Sequence, residues 1–268
     1  MGGSVLFADP PICLTEVSMN LHEFFTDHPR VAIAFSGGVD SAYLLYAAKQ
    51  YAKDVCAYYV KSAFQPQFEL NDALHIATDL GVKMEIIELN ILADEKIAAN
   101  PWNRCYYCKK QIFTAIVKQA QADGYTVLLD GTNASDDEGD RPGIQAIHEL
   151  NVLSPLRLCD LTKTEIRRLS KEAGLFTWNK PAYACLATRI PTGQPISEFL
   201  LRRTELAENF MFKKGFSNFR IRTIGETAKI QITLQQLPLL LDNRKEILDE
   251  LKKNYASVCL DLEVRNEN

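Results

Sequence analysis

Residues 31–35 are an unbroken apolar run, and Ser36-Gly37-Gly38-Val39-Asp40-Ser41 follows directly, ahead of a helical pattern that carries Leu44, Leu45 and Ala48 on one side. A doubly buried strand, a tight turn and a helix in succession form the opening unit of a parallel sheet covered by helices. Two glycines let the backbone turn sharply and come close to an anion. The N–H groups at the helix start then face that anion, and the helix dipole adds to the attraction. The Ser36 and Ser41 hydroxyls are suited to donate to phosphate oxygens. Asp40 beside phosphate makes sense where it holds a metal ion or orients the loop. An ordinary strand-to-helix turn is the plain alternative.

The rest of the chain extends this unit. Strands are expected at 54–61, 82–89 and 126–130, and helices at 41–51, 68–80 and 104–123. Thr162 and Glu165 form a capping box for a helix that stops at Gly174. Strands alternating with helices predict an α/β fold with a parallel sheet. The pattern changes near Lys180. Residues 180–196 carry Pro181, Pro191 and Pro195 without a clear period, which predicts a linker. A helix at 197–214, paired strands at 219–223 and 228–234 around Gly225, a helix at 236–254 and a strand at 257–263 predict a small α+β domain. The expected division is an extension at 1–18, a nucleotide domain at 19–179, a linker at 180–196 and the small domain at 197–268.

Composition narrows the function. With 47% hydrophobic and 24% charged residues, the chain has the make-up of a soluble globular protein. Thirty basic residues against 34 acidic ones give a net charge of −4, which does not advertise a nucleic-acid partner. No apolar run reaches the ~18 residues of a membrane span, and the first residues lack a signal-peptide pattern, so the expected location is the cytoplasm. Seven cysteines are too few for a disulfide scaffold, and their number is odd. Free thiols are therefore expected.

Cys105 and Cys108 stand in Arg104-Cys105-Tyr106-Tyr107-Cys108-Lys109 at a predicted helix start. The helix dipole, Arg104 and Lys109 are all expected to lower thiol pKa there. One C-x-x-C is compatible with half a zinc site, a redox pair, or two ordinary helix residues. No second C-x-x-C follows, which counts against a closed zinc site. Cys185 lies in the linker. Cys56 and Cys259 fall in strands and read as small core residues, whereas Cys159 falls in a loop and Cys13 in the extension. A second nucleotide-side turn is Asp130-Gly131-Thr132-Asn133 at a strand end, where ligands of parallel sheets bind. Asp136, Asp137, Asp140 and Arg141 follow it, either as site residues or as a solvated loop. Arg220 and Arg222 alternate with Phe219 and Ile221 along a strand, so both point to one face. That face is either solvated or an anion site.

The glycine loop resembles the PP-loop of the ATP pyrophosphatases, which implies a strand order close to 3-2-1-4-5 and AMP transfer from ATP. Several further motifs appear in order: the Arg104–Lys109 segment, Asp130-Gly-Thr-Asn133, Asp140-Arg-Pro-Gly143, Ser154-Pro-Leu156, Leu161-Thr-Lys-x-Glu-Ile-Arg167, Lys180-Pro-Ala182 and Ala184-Cys-Leu186. With the loop they resemble the LarE family, ATP-dependent sulfur transferases of nickel-pincer nucleotide synthesis. The likeness covers nearly everything from residue 19 onward.

The resemblance implies that Ser36, Gly37, Gly38, Val39, Asp40, Ser41, Gly131, Thr132 and Asn133 bind ATP, with Asp40 as a candidate Mg²⁺ ligand. It implies that Cys105, Cys108 and Cys185 hold a 4Fe-4S cluster whose open iron carries sulfide. In the family's other version the cysteine matching Cys185 gives up its own sulfur. It implies that Arg220 and Arg222, with Trp102 and Glu208, bind the phosphate of a mononucleotide, pyridinium-3,5-biscarboxylic acid mononucleotide. Sulfide or a cysteine desulfurase would supply sulfur, and a homo-oligomer, often a hexamer, is implied. A tRNA thiolation enzyme is the alternative of a different class, and the pI near 5.7 counts against it. An amidating ligase would need ammonia and no cysteines, and a non-catalytic nucleotide-binding module would have no use for three placed thiols.

Overall fold

A computed structural model describes residues 19–136 and 142–265. The predicted extension with Cys13, and Asp137, Asp140 and Arg141, lie outside the described residues. Four parallel strands, β1 (Arg30–Ala34), β2 (Asp54–Lys61), β3 (Lys83–Glu88) and β4 (Leu128–Leu129), form a sheet in the order β3-β2-β1-β4. This matches the first four places of the implied 3-2-1-4-5 order. A single parallel bridge from Leu129 to Leu153 stands where a fifth strand would lie. The backbone N–H of Asp130 donates to the Leu153 carbonyl at 2.9 Å, which fixes the turn after β4.

Alternation along the strands sends side chains into two cores. Val31, Ile33, Ala57 and Tyr59 face one side, against α1 (Leu21–Asp27), α2 (Val39–Tyr51) and α3 (Gln67–Asp79). Ala32, Cys56, Tyr58 and Val60 face the other, where the short α4 (Glu95–Ala98) leads into α5 (Arg104–Ala122) and α6 (Pro142–Glu149) follows. α7 (Pro155–Leu158) and α8 (Lys163–Glu172) return to the first side, with Leu156 and Ile166 in its core. Thr162 caps α8 through the Glu165 N–H, one half of the expected capping box, whereas the Glu165 carboxylate bonds Arg168. β4 is shorter than the expected 126–130, and α1 has no counterpart among the sequence expectations.

The remaining chain builds a second sheet. β5 (Arg220–Ile224) and β6 (Thr227–Gln231) pair antiparallel around Gly225, and β7 (Ser257–Leu260) adds parallel to β6. α9 (Glu198–Lys213), α10 (Leu237–Asp242) and α11 (Arg244–Leu251) cover one face and enclose Met211, Ile221, Ile230 and Leu251. The single helix expected at 236–254 is two, separated at Asn243, which ends one and caps the other. The segment 180–196 is irregular, as expected, yet it is packed. Leu186, Ala187, Ile190 and Ile196 are buried with Phe64, Ile91 and Ile97. A 3-10 turn, Leu186–Arg189, lies within it. No helix among the described residues is long and apolar enough to cross a membrane.

Leu44 is fully buried between α2 and the sheet. Leu44→Ala should lower unfolding free energy by about 3 kcal/mol in urea denaturation.

Candidate active site

The loop at 36–41 takes the conformation its glycines permit. Gly37 has φ +71°, and a Cβ there would lie 3.1 Å from that of Ala73 on α3. Gly38 precedes α2, and no side chain caps the helix. Its first N–H groups are therefore left to an outside anion. The Ser36 and Ser41 hydroxyls lie 3.0 Å apart, and Ser41 also donates to the Gly38 carbonyl. Val39 is buried and anchors the helix start.

The second turn locks against the first. A Cβ on Gly131 would lie 2.9 Å from the Ser41 nitrogen, so only glycine permits this approach. Buried Asn133 donates from Nδ2 to Asp40 Oδ1 at 3.3 Å, and the Lys163 ammonium pairs with Asp40 Oδ2. Asp130 accepts from the Thr132 and Ser154 hydroxyls. Both turns line a cleft of about 470 Å³ whose apolar wall includes Ala34, Tyr58, Val60 and Phe113. Lys109, Ala182 and Tyr183 line the same cleft, next to the positions of Cys108 and Cys185.

The cysteines stand on two segments that pack against one apolar cluster. Cys105 is exposed, whereas Cys108 and Cys185 border the apolar cluster around Phe64. Buried Arg104 joins the two segments. It donates to Asn100 Oδ1 at 2.6 Å and to the Ala187 carbonyl at 3.2 Å, and it points to Cys105 Sγ at 3.8 Å. The expected lowering of the Cys108 pKa does not occur. Burial pushes that thiol up to about 12, and the nearby Cys185 and Cys105 add to the rise, outweighing Arg104 and Lys109. Burial also pushes the Cys185 thiol up, with Cys105 adding to it against Arg104 and Arg189. Among the described residues no three His, Cys, Asp or Glu side chains stand in metal-holding geometry. Cys56 and Cys159 are buried, in keeping with core roles, whereas Cys259 on β7 is exposed rather than a core residue.

Arg220 and Arg222 share one face of β5, as alternation predicts, and both reach the Cys185 segment. Arg220 Nη2 donates to the Ala182 carbonyl at 2.9 Å and Arg222 Nη1 to that of Thr188 at 3.1 Å. Glu208 is buried beside them. It accepts from the Ile221 N–H and the Tyr183 hydroxyl and forms a buried ion pair with Arg189 at 2.7 Å. Arg189 and Arg220 both lie over the Tyr183 ring, at 4.5 and 5.3 Å. Burial, with repulsion from Arg189 and Arg265, lowers the Arg220 pKa to about 10. Among the described residues Arg222 otherwise bonds only Gln231, and Arg265 bonds the Asn218 side chain and carbonyl. Trp102 stands apart from this group, 76% exposed before α5. The sequence marks Arg104 only as a cation beside the thiols, not as a link to the Cys185 segment, and it marks no role for Lys163, Arg189 or Arg265. Arg104, Lys163 and Arg189 stand inside motifs quoted above or next to them, and their contacts cross long stretches of chain.

The family model for the queuosine biosynthesis protein QueC matches residues 30–100. An uncharacterised protein of Synechocystis is 35% identical, covering 91% of this chain and 92% of that one. The pyridinium-3,5-bisthiocarboxylic acid mononucleotide synthase of Lactiplantibacillus plantarum is 31% identical over 88% of this chain and 87% of its own. A tRNA-specific 2-thiouridylase of Pseudothermotoga lettingae is more distant, at 26% over 81% and 77%.

Gly131→Ala must push the two turns apart and should weaken ATP binding at least about tenfold in calorimetric titration, because a contact this close has no slack. The raised Cys108 pKa leaves little thiolate near neutrality. Iodoacetamide should therefore alkylate Cys108 at pH 8 at least about tenfold more slowly than a free peptide cysteine, as read by peptide mass spectrometry.

Proposed function

The chain belongs to the LarE family of PP-loop, ATP-dependent sulfur transferases, and from that premise we propose that it adenylates the carboxylates of pyridinium-3,5-biscarboxylic acid mononucleotide and converts them to thiocarboxylates. One observation carries the reading. A single cleft runs from an uncapped, glycine-bearing anion loop to the segment that holds Cys185, with Arg220 and Arg222 bonded on either side of that cysteine. The proposed division is a PP-loop domain at 19–179 and a substrate-binding unit at 197–268, joined by the packed segment 180–196.

A carboxylate resists attack by sulfur because oxide is a poor leaving group, and transfer of AMP to it supplies a good one. The N–H groups at the start of α2 and the Ser36 and Ser41 hydroxyls hold the pyrophosphate as it departs. Gly131 and Thr132 form the facing wall of the same site. Asp40 fits a Mg²⁺ role, because this ion takes one or two carboxylates and completes its shell with phosphate oxygens and water. It would neutralise the pyrophosphate charge, and Lys163 holds Asp40 toward the cleft. Arg220 and Arg222 keep guanidinium groups whose partners are neutral oxygens, which suits the phosphate of a mononucleotide. Glu208 orients Arg189 and Tyr183 beneath them.

Cys105, Cys108 and Cys185 are the residues that would hold a 4Fe-4S cluster. Three soft thiolates suit iron, and the burial that makes a free thiolate costly at Cys108 and Cys185 favours its neutralisation by metal, whereas Cys105 is exposed. The three thiols do not already stand in metal-holding geometry, so a cluster would have to draw them together. When bound, the cluster would offer an iron free to carry sulfide, so that the chain keeps its own sulfur. Sulfide or a desulfurase is the proposed source. A tRNA substrate is disfavoured by the net charge of −4.

Two measurements test this reading. Arg220→Ala/Arg222→Ala should raise KM for the mononucleotide at least about tenfold while KM for ATP moves little, since each charge-assisted contact contributes roughly 1.5–3 kcal/mol. Mass spectrometry of anaerobically purified protein after turnover should show an intact chain with several products per protomer. A single turnover with loss of the Cys185 sulfur would assign the sacrificial route instead.

A further inference from the structure

The steps above give no role to the carboxyl of Glu69. Glu69, in the first turn of α3, lines the cleft together with Tyr59, Gln65, Lys180 and Tyr183. Among the described residues its carboxyl forms no hydrogen bond and no ion pair. Its neighbour Asp72 is different, because that side chain is bonded to Lys180 at 2.6 Å. Tyr59 beside it is almost wholly buried, and its hydroxyl has no partner either. The Tyr59 hydroxyl is a buried group without a partner, whereas the half-buried Glu69 carboxyl opens on the cleft, where a ligand or water can reach it.

The place is equally specific. One turn further along α3, Ala73 touches Gly37 of the anion loop, so Glu69 belongs to the element that braces the pyrophosphate site. Toward the second sheet, the neighbouring Phe68 packs edge-on against the Tyr183 ring at 4.9 Å, and Tyr183 lines the same cleft two residues before Cys185. The carboxyl thus stands between the end where AMP is transferred and the segment that delivers sulfur.

We propose that Glu69 is the proton acceptor of the sulfur-transfer half-reaction. The inference rests on the sulfur-transferase reading given above. A hydrosulfide attacks the carbonyl carbon of the acyl adenylate. The C–S bond forms, and the bond from carbon to the AMP oxygen breaks, with its electron pair leaving on AMP. The S–H bond breaks, and its proton passes to the Glu69 carboxylate, directly or through one water. The carboxylic acid then returns the proton to solvent. No oxidant or reductant is involved.

The surroundings tune the group for this task. Burial pushes the Glu69 pKa up to about 7, and Asp72 adds to the rise, while Lys180, Arg189 and Lys61 hold it down. Tyr59 and Tyr183 are the other titratable groups whose fields it meets. A base poised near the working pH combines a large deprotonated fraction with useful proton affinity. The sulfur step should therefore accelerate as pH rises through about 7 and then level off.

The test separates the two halves of the reaction in the full-length protein, with the pyridinium dicarboxylate mononucleotide as substrate. ATP–pyrophosphate exchange reads adenylation, and mass spectrometry reads thiocarboxylate formation. Glu69→Gln should lose at least about tenfold more in thiocarboxylate formation than in exchange, and the acidic limb of its pH profile should disappear. Glu69→Asp should restore part of the rate. Equal losses in both halves, or a retained acidic limb, would overturn the assignment of Glu69 and leave the functional reading intact. Wild-type protein that neither exchanges pyrophosphate nor forms product with this substrate would overturn the functional reading, and the role of Glu69 with it.

Discussion

The arrangement around Cys185 depends on one buried ion pair. Arg189 and Glu208 are each almost wholly removed from solvent and meet at 2.7 Å. Arg189 also donates to the Ala184 carbonyl and lies 3.5 Å from that of Cys185, so it grips the cysteine segment from below. Glu208 accepts from the Ile221 N–H of β5, which fixes the second sheet to the same point. Removing either partner strands a buried charge, a change that costs roughly 3–5 kcal/mol. This pair therefore sets where the cysteine stands relative to the arginines of β5 and to the mouth of the nucleotide cleft.

The pair also leaves an imbalance of charge. Glu208 answers one arginine, yet Arg220, Arg222 and Arg265 gather within its neighbourhood and, among the described residues, bond only neutral oxygens. The lowered Arg220 and Arg265 pKa values express burial and mutual repulsion. A fold tolerates such a concentration of like charge where an anion completes it. The same logic holds at the other end of the cleft, where the uncapped start of α2 faces the space the two turns enclose. The nucleotide cleft reaches the 180–183 segment, and Arg220 bonds the Ala182 carbonyl of that segment, so a substrate phosphate near the arginines and a nucleotide at the loop suit neighbouring places.

The sequence makes the local parts of this plan readable. The limits of β2 coincide with the expected 54–61 because alternation between two cores writes a period into the chain. The anion loop is readable because glycine at Gly37 and Gly131 answers a backbone demand that no other residue meets. Arg220 and Arg222 are readable as a pair because strand geometry alone puts them on one face. The links between these parts are not. The Asp40–Lys163 bond spans 123 residues, and no local pattern marks it. Arg189 and Glu208 look like surface charges until the fold removes both from water. The Cys108 pKa illustrates the same limit, since nearby cations and a helix start are visible in sequence whereas the burial that outweighs them is not. The break at Asn243 interrupts a continuous helical pattern, because α10 and α11 must wrap a small core that one straight helix would miss.

Protonation ties the chemistry to this architecture. Cys108 and Cys185 sit where burial keeps a thiol protonated, so a free thiolate is disfavoured there. Sulfur delivered at this place therefore needs either a cation that replaces the thiol proton or a base that removes it. Arg104 is the guanidinium bonded into both cysteine segments, and its position against Cys105 and Ala187 lowers the cost of negative charge on sulfur. A carboxyl on α3, held near neutral pH by the balance of burial against Lys180, Arg189 and Lys61, supplies the base. The burial that makes the cysteines poor thiolates also raises that carboxyl toward the working pH. A drier cleft thus protects an activated acyl group from water and, by the same physical cause, readies the group that receives the proton when sulfur attacks.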